Sequence, residues 1–373
     1  MKVPLLDLQR QNAELAPQLT EAFQRVLKSG RFIGGPEVES FEKSVSQRVG
    51  VPHAIGVSSG TDAILLALMA LEIGPGDEVI CPSFTFFATA GCVARVGATP
   101  VFADSCPDCF NIDVADARRR ITPKTKAIIP VHLFGQCADM DAVAALAREH
   151  GLAVIEDAAQ ALGAEYKGRR AGSMGICAAF SFYPSKNLGG FGDAGLLATR
   201  DGELAAKARL LRDHGAESRY FHRRIGGNFR LDPLQAALLS VKLERLDSYT
   251  ESRRRNAGYY ASKLGGLDGV KLPAVHPDRG HIWNQYTLRI DSRRNALKEF
   301  LASRGIGSEL YYPRPLHAQE CFARPGAVPP RLPVSEQLAE ECISIPVYPE
   351  LTREQLDAVI GATAEFLDAG TLS

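Results

Sequence analysis

Short apolar runs alternate with amphipathic stretches over the first two thirds of the chain. The runs have the length of strands, and the stretches between them repeat apolar residues at helical spacing. The predicted strands are residues 53–57, 77–81, 99–103, 127–131, 152–155, 178–182 and 196–199. The predicted helices include residues 60–71, 85–96, 140–150 and 204–212. This alternation predicts an α/β fold with a mainly parallel seven-stranded sheet covered by helices on both faces.

The pattern changes in the last third of the chain. A long amphipathic segment at residues 231–264 predicts a helical connector, because one of its faces stays apolar along much of its length. After residues 265–280, which contain several Gly and Pro, the pattern is that of a smaller α+β unit. We therefore predict a large domain at residues 1–245 and a small domain at residues 246–373, and we allow the N-terminal segment to pack on the small domain.

Composition and charge exclude several classes of partner. Lysine plus arginine total 43 and aspartate plus glutamate total 43, so no net field attracts a nucleic-acid backbone and we expect no such partner. No stretch approaches the ~20 apolar residues of a membrane helix, so we expect no membrane partner. The N-terminus reaches Asp7 and Arg10 before a signal-peptide core forms, which predicts a cytoplasmic protein.

The chain has eight cysteines, too few for a secreted disulfide scaffold of this length. Only Cys106 and Cys109 have the paired spacing CxxC. A zinc site needs four ligands, and no second CxxC or HxxxH motif accompanies this pair. We therefore interpret the pair as part of a loop with two free thiols, and we predict no metal site.

Two motifs follow predicted strands, where open parallel sheets bind ligands. The sequence SSGTD at residues 58–62 opens a helix, which suits a phosphate group; a helix cap formed by Thr61 or Asp62 is the alternative. Glu156 and Asp157 close another strand, and strand alternation points them to opposite faces. A buried carboxylate there requires a positive partner such as a protonated pyridine nitrogen, while a helix cap or a magnesium ligand remain open alternatives.

A candidate nucleophile, Lys186, ends the sequence SFYPSK. Its amine can form an imine with an aldehyde once burial or neighbouring charge lowers its proton affinity, although most lysines are surface charges. Gly190, Gly192 and Gly195 match the pattern GxGxxG, but they lead into a strand rather than a helix. We reject a dinucleotide site and expect these glycines to let the backbone pass close to the lysine loop.

Six ordered blocks give the chain a family resemblance: SSGTDAILLAL, PSFTFFAT, EDAAQALGAEYKGRRAGSMG, SFYPSKNLGGFGDAG, GGNFRLDPLQAALL and YYPRPLH. In this order they resemble the DegT/DnrJ/EryC1/StrS family of sugar aminotransferases, from about Leu5 to the last helix. The resemblance implies the pyridoxal-phosphate-dependent transferase fold of type I, like that of aspartate aminotransferase. It also implies a homodimer with both active sites at the interface.

The resemblance also assigns site residues. It implies that Lys186 forms the imine with pyridoxal 5'-phosphate and that Asp157 faces the pyridine nitrogen. Phe86 would stack on the ring, with Phe84 and Phe87 as competing candidates. The implied cofactor-binding residues are Gly60, Thr61, Phe86, Asp157, Gln160, Ser181, Lys186 and, from the neighbouring subunit, Asn228. The implied substrate-binding residues are Tyr183, Arg230, Tyr311, Tyr312 and His317, for which packing or surface hydrogen bonding is the alternative.

The function implied by the resemblance is transfer of an amino group from L-glutamate to a nucleotide-linked keto sugar, with pyridoxamine 5'-phosphate as the intermediate cofactor form. The block RYFHRRIGGNFRLDPLQAALLSVKL favours a 3-keto over a 4-keto sugar. Relatives that dehydrate sugars have histidine in place of the lysine, so Lys186 favours transamination. A sugar dehydratase and a ligand-sensing regulator on the same fold remain the alternatives.

Overall fold

A computed structural model describes residues 1–323 and 330–369 of the protein. In chain order its strands are β1 (His53–Val57), β2 (Glu78–Pro82), β3 (Thr99–Ala103), β4 (Thr125–Ile128), β5 (Ala153–Asp157), β6 (Glu165–Tyr166), β7 (Arg169–Arg170), β8 (Cys177–Ser181), β9 (Gly195–Thr199), β10 (Ala216–Ser218), β11 (Phe221–His222), β12 (Val270–Lys271), β13 (Arg279–Gly280), β14 (Tyr286–Ile290) and β15 (Cys342–Ile345). Its α-helices are α1 (Leu8–Glu14), α2 (Ala16–Ser29), α3 (Pro36–Val49), α4 (Gly60–Ala70), α5 (Ala88–Arg95), α6 (Val114–Arg119), α7 (Met140–His150), α8 (Gly202–Arg212), α9 (Pro233–Leu243), α10 (Leu246–Leu264), α11 (Arg294–Ser303), α12 (Pro333–Glu341) and α13 (Arg353–Ala369).

The large sheet has the predicted seven strands, in the order β1-β9-β8-β5-β4-β2-β3. Only β9 runs antiparallel to its neighbours, so the sheet is mainly parallel, as predicted. The strand predicted at 127–131 ends at Ile128, shortly before Pro130, which has no N–H to donate to a ladder. The helix predicted at 85–96 begins only at Ala88, because residues before it form a cavity wall instead.

Helices cover both faces of this sheet, and each face has its own apolar core. One core joins α3, α7 and α9 to the sheet, with Phe41, Leu146 and Leu239 among its buried residues. The other joins α4, α5 and α8 to the opposite face. Helix α4 is apolar on nearly all sides because it packs between the sheet and the neighbouring helices α5 and α8.

The predicted connector at residues 231–264 is two helices rather than one. Helix α9 packs on α2 and α3 of the large domain, whereas α10 packs on α13. The strands β12, β14 and β15 form a separate sheet, and its core includes Val3 from the N-terminus. These contacts support our proposed division at residues 245/246. Residues 324–329 and 370–373 of the proposed small domain lie outside the described residues.

Among the residues that the structure describes, no helix combines the length and apolar character that crossing a membrane requires.

Candidate active site

A cavity of about 710 Å³ opens at the carboxyl ends of β5 and β8, beside the first turn of α4. This is where open parallel sheets place their ligands. Ten of the predicted site residues line it: Gly60, Thr61, Phe86, Asp157, Gln160, Ser181, Tyr183, Lys186, Tyr311 and Tyr312. The structure therefore brings together residues that lie up to about 250 positions apart in the sequence.

The first turn of α4 is capped by Ser59, which sequence reasoning did not select. The Ser59 hydroxyl oxygen accepts the N–H of Asp62 at 3.0 Å. The Asp62 carboxylate in turn accepts the hydroxyls of Ser58 and Ser59 at 2.6 and 2.9 Å. The alternative that Thr61 or Asp62 caps this helix is therefore wrong, and the Thr61 side chain is left at the cavity.

Glycine is required where α4 meets the neighbouring strands. A Cβ on Gly60 would lie 2.7 Å from the Cβ of Ser181, and a Cβ on Gly195 would lie 2.3 Å from the carbonyl carbon of Ser59. Gly190 donates its N–H to the carbonyl of Phe182 at 2.7 Å, which folds the lysine loop back on itself. The glycines of the GxGxxG pattern thus serve close backbone packing, which confirms that they do not open a dinucleotide-binding helix.

Asp157 is a buried carboxylate that faces the cavity. One of its oxygens accepts the hydroxyl of Thr89 at 2.7 Å, and the other accepts the N–H of Ala159 at 3.2 Å. Burial raises the pKa of Asp157 above its ordinary range, although these hydrogen bonds and the charge of Lys186 act in the opposite direction. A positive group in the cavity would therefore stabilise the ionised form of this carboxylate strongly.

A metal ion is one positive group that could meet this carboxylate. Within residues 1–323 and 330–369, no cluster of three or more His, Cys, Asp or Glu side chains is arranged to hold a metal ion. Magnesium at Asp157 would therefore depend on water and phosphate oxygens for its other ligands. A cationic ring nitrogen requires only the single carboxylate that is present.

Glu156 points away from the cavity, as the alternation of the strand predicted. Its carboxylate accepts the N–H groups of Gly172, Met174 and Gly175 at 2.6 to 2.8 Å, and it contacts His132 Nε2 at 2.9 Å. Burial acts to raise the pKa of Glu156, but His132 and the backbone N–H groups outweigh it and hold the pKa below its usual value. This second carboxylate therefore fixes the loop behind β5, while its neighbour serves the cavity.

Lys186 lies in the loop that follows β8 and is half-buried at the cavity wall. Burial lowers the pKa of its amine to about 8, and the attraction of Asp157 limits the decrease. A substantial fraction of the amine is therefore neutral near physiological pH, which is the form that attacks a carbonyl carbon.

Gln160 is held in a defined orientation. Its side-chain oxygen accepts the N–H of Phe134 at 2.6 Å, and its side-chain nitrogen donates to the Tyr312 hydroxyl at 3.2 Å. The amide therefore presents fixed polar atoms at the cavity wall.

The structure separates the three neighbouring phenylalanines that competed for the ring-stacking role. Phe84 is fully buried, and the ring of Phe87 packs 5.6 Å from that of Phe322. Phe86 is 55% exposed, lines the cavity and lies 6.2 Å from the ring of Tyr312. Of the three, Phe86 is the one that lines the cavity.

Three predicted site residues lie outside the cavity lining. Asn228 is exposed on the segment that precedes α9. Arg230 pairs with Asp213 at 2.5 Å. His317 is buried, with Nδ1 2.6 Å from the hydroxyl of Ser83 and Nε2 3.2 Å from the carboxylate of Glu336.

Sequence reasoning missed several residues of the site. Thr89 is not part of the cavity lining but holds Asp157 through a 2.7 Å hydrogen bond, and its signal was its place near the start of α5, three residues after Phe86. The small domain contributes residues that no local pattern marks. The missed lining residues include Ser59, Thr85, Ser185, Asp193, Asn284, Gln285 and Glu309.

Comparison with known proteins gives one consistent family. The model of the DegT/DnrJ/EryC1/StrS aminotransferase family matches residues 14–364. A "pleiotropic regulatory protein" of Geobacillus stearothermophilus is 48% identical, over 98% of this chain and 99% of its own length. A "UDP-N-acetyl-3-dehydro-alpha-D-glucosamine 3-aminotransferase" of Acidithiobacillus ferrooxidans is 46% identical, over 95% of each chain.

Solved structures agree with this result. The enzyme DesV of S. venezuelae, crystallised in complex with a ketimine intermediate, has a TM-score of 0.95 and 46% identity, with 98% of each chain covered. NtdA of Bacillus subtilis, solved with bound cofactor PMP, has a TM-score of 0.91 and 32% identity, over 98% of this chain and 85% of its own. The predicted fold of type I is thereby confirmed.

We predict that Lys186 of the ligand-free protein reacts with an amine-directed acylating reagent at half its maximal rate near pH 8, whereas a surface lysine would do so at pH ~10.4. The measurement is peptide mass spectrometry across a pH series. Replacement Asp157→Asn removes the attraction that favours the charged amine, so the midpoint should fall further. Asp193→Asn is the matched control, because Asp193 lines the same cavity but does not contribute to the shift. A midpoint near pH 10, or a rise in Asp157→Asn, would contradict this account of the cavity.

Proposed function

The chain belongs to the DegT/DnrJ/EryC1/StrS aminotransferase family, and on that premise we propose that it transfers an amino group from L-glutamate to a nucleotide-linked keto sugar with pyridoxal 5'-phosphate as cofactor. One observation carries the proposal. A lysine whose amine is partly neutral and a buried carboxylate in need of a positive partner line the same cavity, as Lys186 and Asp157 do.

The residues present fit this cofactor. The unpaired N–H groups at the first turn of α4, with the hydroxyls of Thr61 and Ser181, suit its phosphate. Asp157 suits the pyridine nitrogen, Gln160 the phenolic oxygen, and Phe86 one face of the ring. When bound, the cofactor supplies an aldehyde and an electron-accepting aromatic ring.

The protein's own groups then hold charge and move protons. Asp157 keeps a proton on the ring nitrogen, because burial makes an unpaired carboxylate costly there. Thr89 keeps the carboxylate oriented through its 2.7 Å hydrogen bond. Once its Nζ is free and neutral, Lys186 accepts the proton from the donor's α carbon and returns it to the reacting group as a general acid.

The substrate assignment combines the cavity with the relatives. Tyr183, Tyr311 and Tyr312 line the cavity and supply hydroxyls and aromatic faces for a sugar and a base. Arg230 and His317 stay proposed substrate residues, although they lie outside this lining. The 3-aminotransferase named in Acidithiobacillus ferrooxidans favours amination at C3.

We propose a homodimer with shared sites. Aromatic side chains near the cavity remain exposed in one chain: Phe86 by 55%, Phe87 by 49% and Tyr183 by 55%. Phe221 and Ile225, on the segment that leads to Asn228, are exposed by 73% and 92%. Large exposed apolar groups of this kind favour a protein interface, and Asn228 of the partner subunit would thereby reach the cofactor phosphate.

The proposed location is the cytoplasm. All eight cysteines are free in this fold, which is typical of a reducing compartment.

A regulatory role is the second candidate, favoured by the name of the Geobacillus relative. A sensor does not need a neutral lysine beside a buried carboxylate, so the cavity favours catalysis. The dehydratase alternative is disfavoured by Lys186, because the related dehydratases have histidine at this position.

The function is tested with cofactor-loaded protein, L-glutamate and a panel of UDP- and dTDP-linked 3-keto and 4-keto sugars, by mass and amine position of the product. We expect a 3-amino sugar and an equal amount of 2-oxoglutarate. Lys186→Arg should reduce the rate by at least ~10²-fold, as expected for loss of a general base, while the exposed Lys167→Arg leaves it unchanged. Dehydration without amine transfer would support the dehydratase, and the absence of both 2-oxoglutarate and any changed sugar would support the regulator.

The shared site is tested by mixing two inactive variants, Lys186→Ala and Asn228→Ala, under conditions in which subunits exchange. Each hybrid dimer has one intact site, so the mixture should recover about a quarter of the wild-type activity. A mixture of Lys186→Ala with Asp157→Ala is the matched control, because both residues belong to the same subunit's site and no hybrid is intact. Equal activity in the two mixtures would argue against sharing.

A further inference from the structure

A turn between β3 and α6 brings two cysteines together away from the cavity lining. Phe110 donates its N–H to the carbonyl of Cys106 at 3.0 Å, so residues 106–110 make one helix-like turn. Cys106 and Cys109 are three positions apart on this turn, which makes their side chains neighbours. The Cys106 thiol donates to the carbonyl of Ile112 at 3.8 Å, and it is close enough to Cys109 to influence the pKa of that thiol.

The two thiols differ in access. Cys106 is half-buried and reaches solvent, whereas Cys109 is only 5% exposed. A small oxidant can reach this turn, while a bulky one meets only Cys106.

A guanidinium is directed at the inner sulfur. Arg279 Nη1 lies 3.6 Å from Cys109 Sγ and donates to the carbonyl of Cys137 at 3.3 Å. Its side chain is 10% exposed, and the carboxylate of Asp139 is 3.8 Å away, at the long limit of an ion pair. The Arg279 guanidinium therefore has no carboxylate at short hydrogen-bond distance. A thiolate on Cys109 would supply a negative charge beside it.

The electrostatics of Cys109 set it apart from the other buried cysteines. The neighbouring Cys106 thiol lowers the pKa of Cys109 to about 5, against burial, with further help from the N–H of Asn111 and the charges of Arg279 and His276. Burial instead raises the pKa of Cys81, Cys92, Cys137, Cys177 and Cys342. Cys109 is the buried thiol with thiolate character at neutral pH.

We propose that Cys106 and Cys109 are a modification site, a dithiol that reacts with peroxides and closes to a disulfide. The Cys109 sulfur attacks one oxygen of hydrogen peroxide, the O–O bond breaks, and the leaving hydroxide takes up a proton to become water. Cys109 is then a sulfenic acid. The Cys106 sulfur attacks the Cys109 sulfur, and the departing hydroxide leaves as water with the Cys106 proton. Two thiols and one peroxide thus give one disulfide and two waters.

Hydrogen bonds connect this turn to the wall of the catalytic cavity. Asn111, two residues after Cys109, accepts the N–H of Leu133 at 3.0 Å and donates to the carbonyls of Gln136 and Cys137, both at 3.1 Å. The turn that Asn111 anchors carries Phe134, whose N–H binds Gln160. The site is therefore separate from the cavity but is joined to it by a short chain of hydrogen bonds.

The test treats the full-length protein with one equivalent of hydrogen peroxide and reads each cysteine by peptide mass spectrometry, in a Cys321→Ser background that removes the exposed thiol. We expect the peptide that contains both cysteines of the turn to lose two hydrogen atoms and to regain them with dithiothreitol. Cys106→Ser should instead leave Cys109 with added oxygen atoms. Retention of both thiols while the remaining cysteines oxidise would overturn the proposal.

The pH profile of the reaction provides an independent readout. The rate at Cys109 should change less than about twofold between pH 6 and 8, because its thiolate is already formed, whereas an ordinary thiol gains about tenfold per pH unit in this range. Cys106→Ala and Arg279→Gln should restore an ordinary profile, and Arg279→Lys, which keeps the charge, should preserve the flat one. A steep profile in the unmodified turn would overturn the assignment of Cys109 as the reactive thiolate.

Discussion

Two groups of opposite charge line one cavity, and the rest of the site depends on their separation. Asp157 and Lys186 influence each other through charge, yet none of the ion pairs within the described residues joins them directly. A direct ion pair would stabilise the charged amine and satisfy the carboxylate. Because they stay apart, the lysine remains partly neutral and the acid still needs a cation, which are the two conditions that imine chemistry on a pyridine ring requires.

The surrounding structure maintains this separation. Strand β5 carries Asp157 on its cavity side and Glu156 on the other, where His132 and three backbone N–H groups bind the second carboxylate. The close contact of Gly60 with Ser181 joins α4 to β8, so the helix N-terminus and the lysine loop form one wall. The Ser59 side chain caps the same helix by accepting one N–H group of its first turn. The other N–H groups of that turn remain available to an anion.

Local pattern and family resemblance predicted the sheet and ten of the residues that line the cavity, since strand ends and loop motifs are marked by nearby residues. The sequence did not identify Ser59 as the cap, because Thr61 and Asp62 are equally good capping residue types. It also missed Asn284 and Glu309, which reach the cavity only through the packing of the two proposed domains. The break after Leu243 was missed because apolar spacing continues through it from α9 into α10.

The most direct measurement is reduction of pyridoxal-phosphate-loaded protein with borohydride, followed by identification of the labelled lysine by peptide mass spectrometry. Lys242 is a demanding internal control, because it is 1% exposed and burial lowers its pKa to about 8 as well. Its amine, however, donates to the carbonyl of Gly189 at 2.6 Å and does not line the cavity. The account predicts a label on Lys186 alone, lost in Lys186→Ala. A label on Lys242 or any other lysine would contradict it.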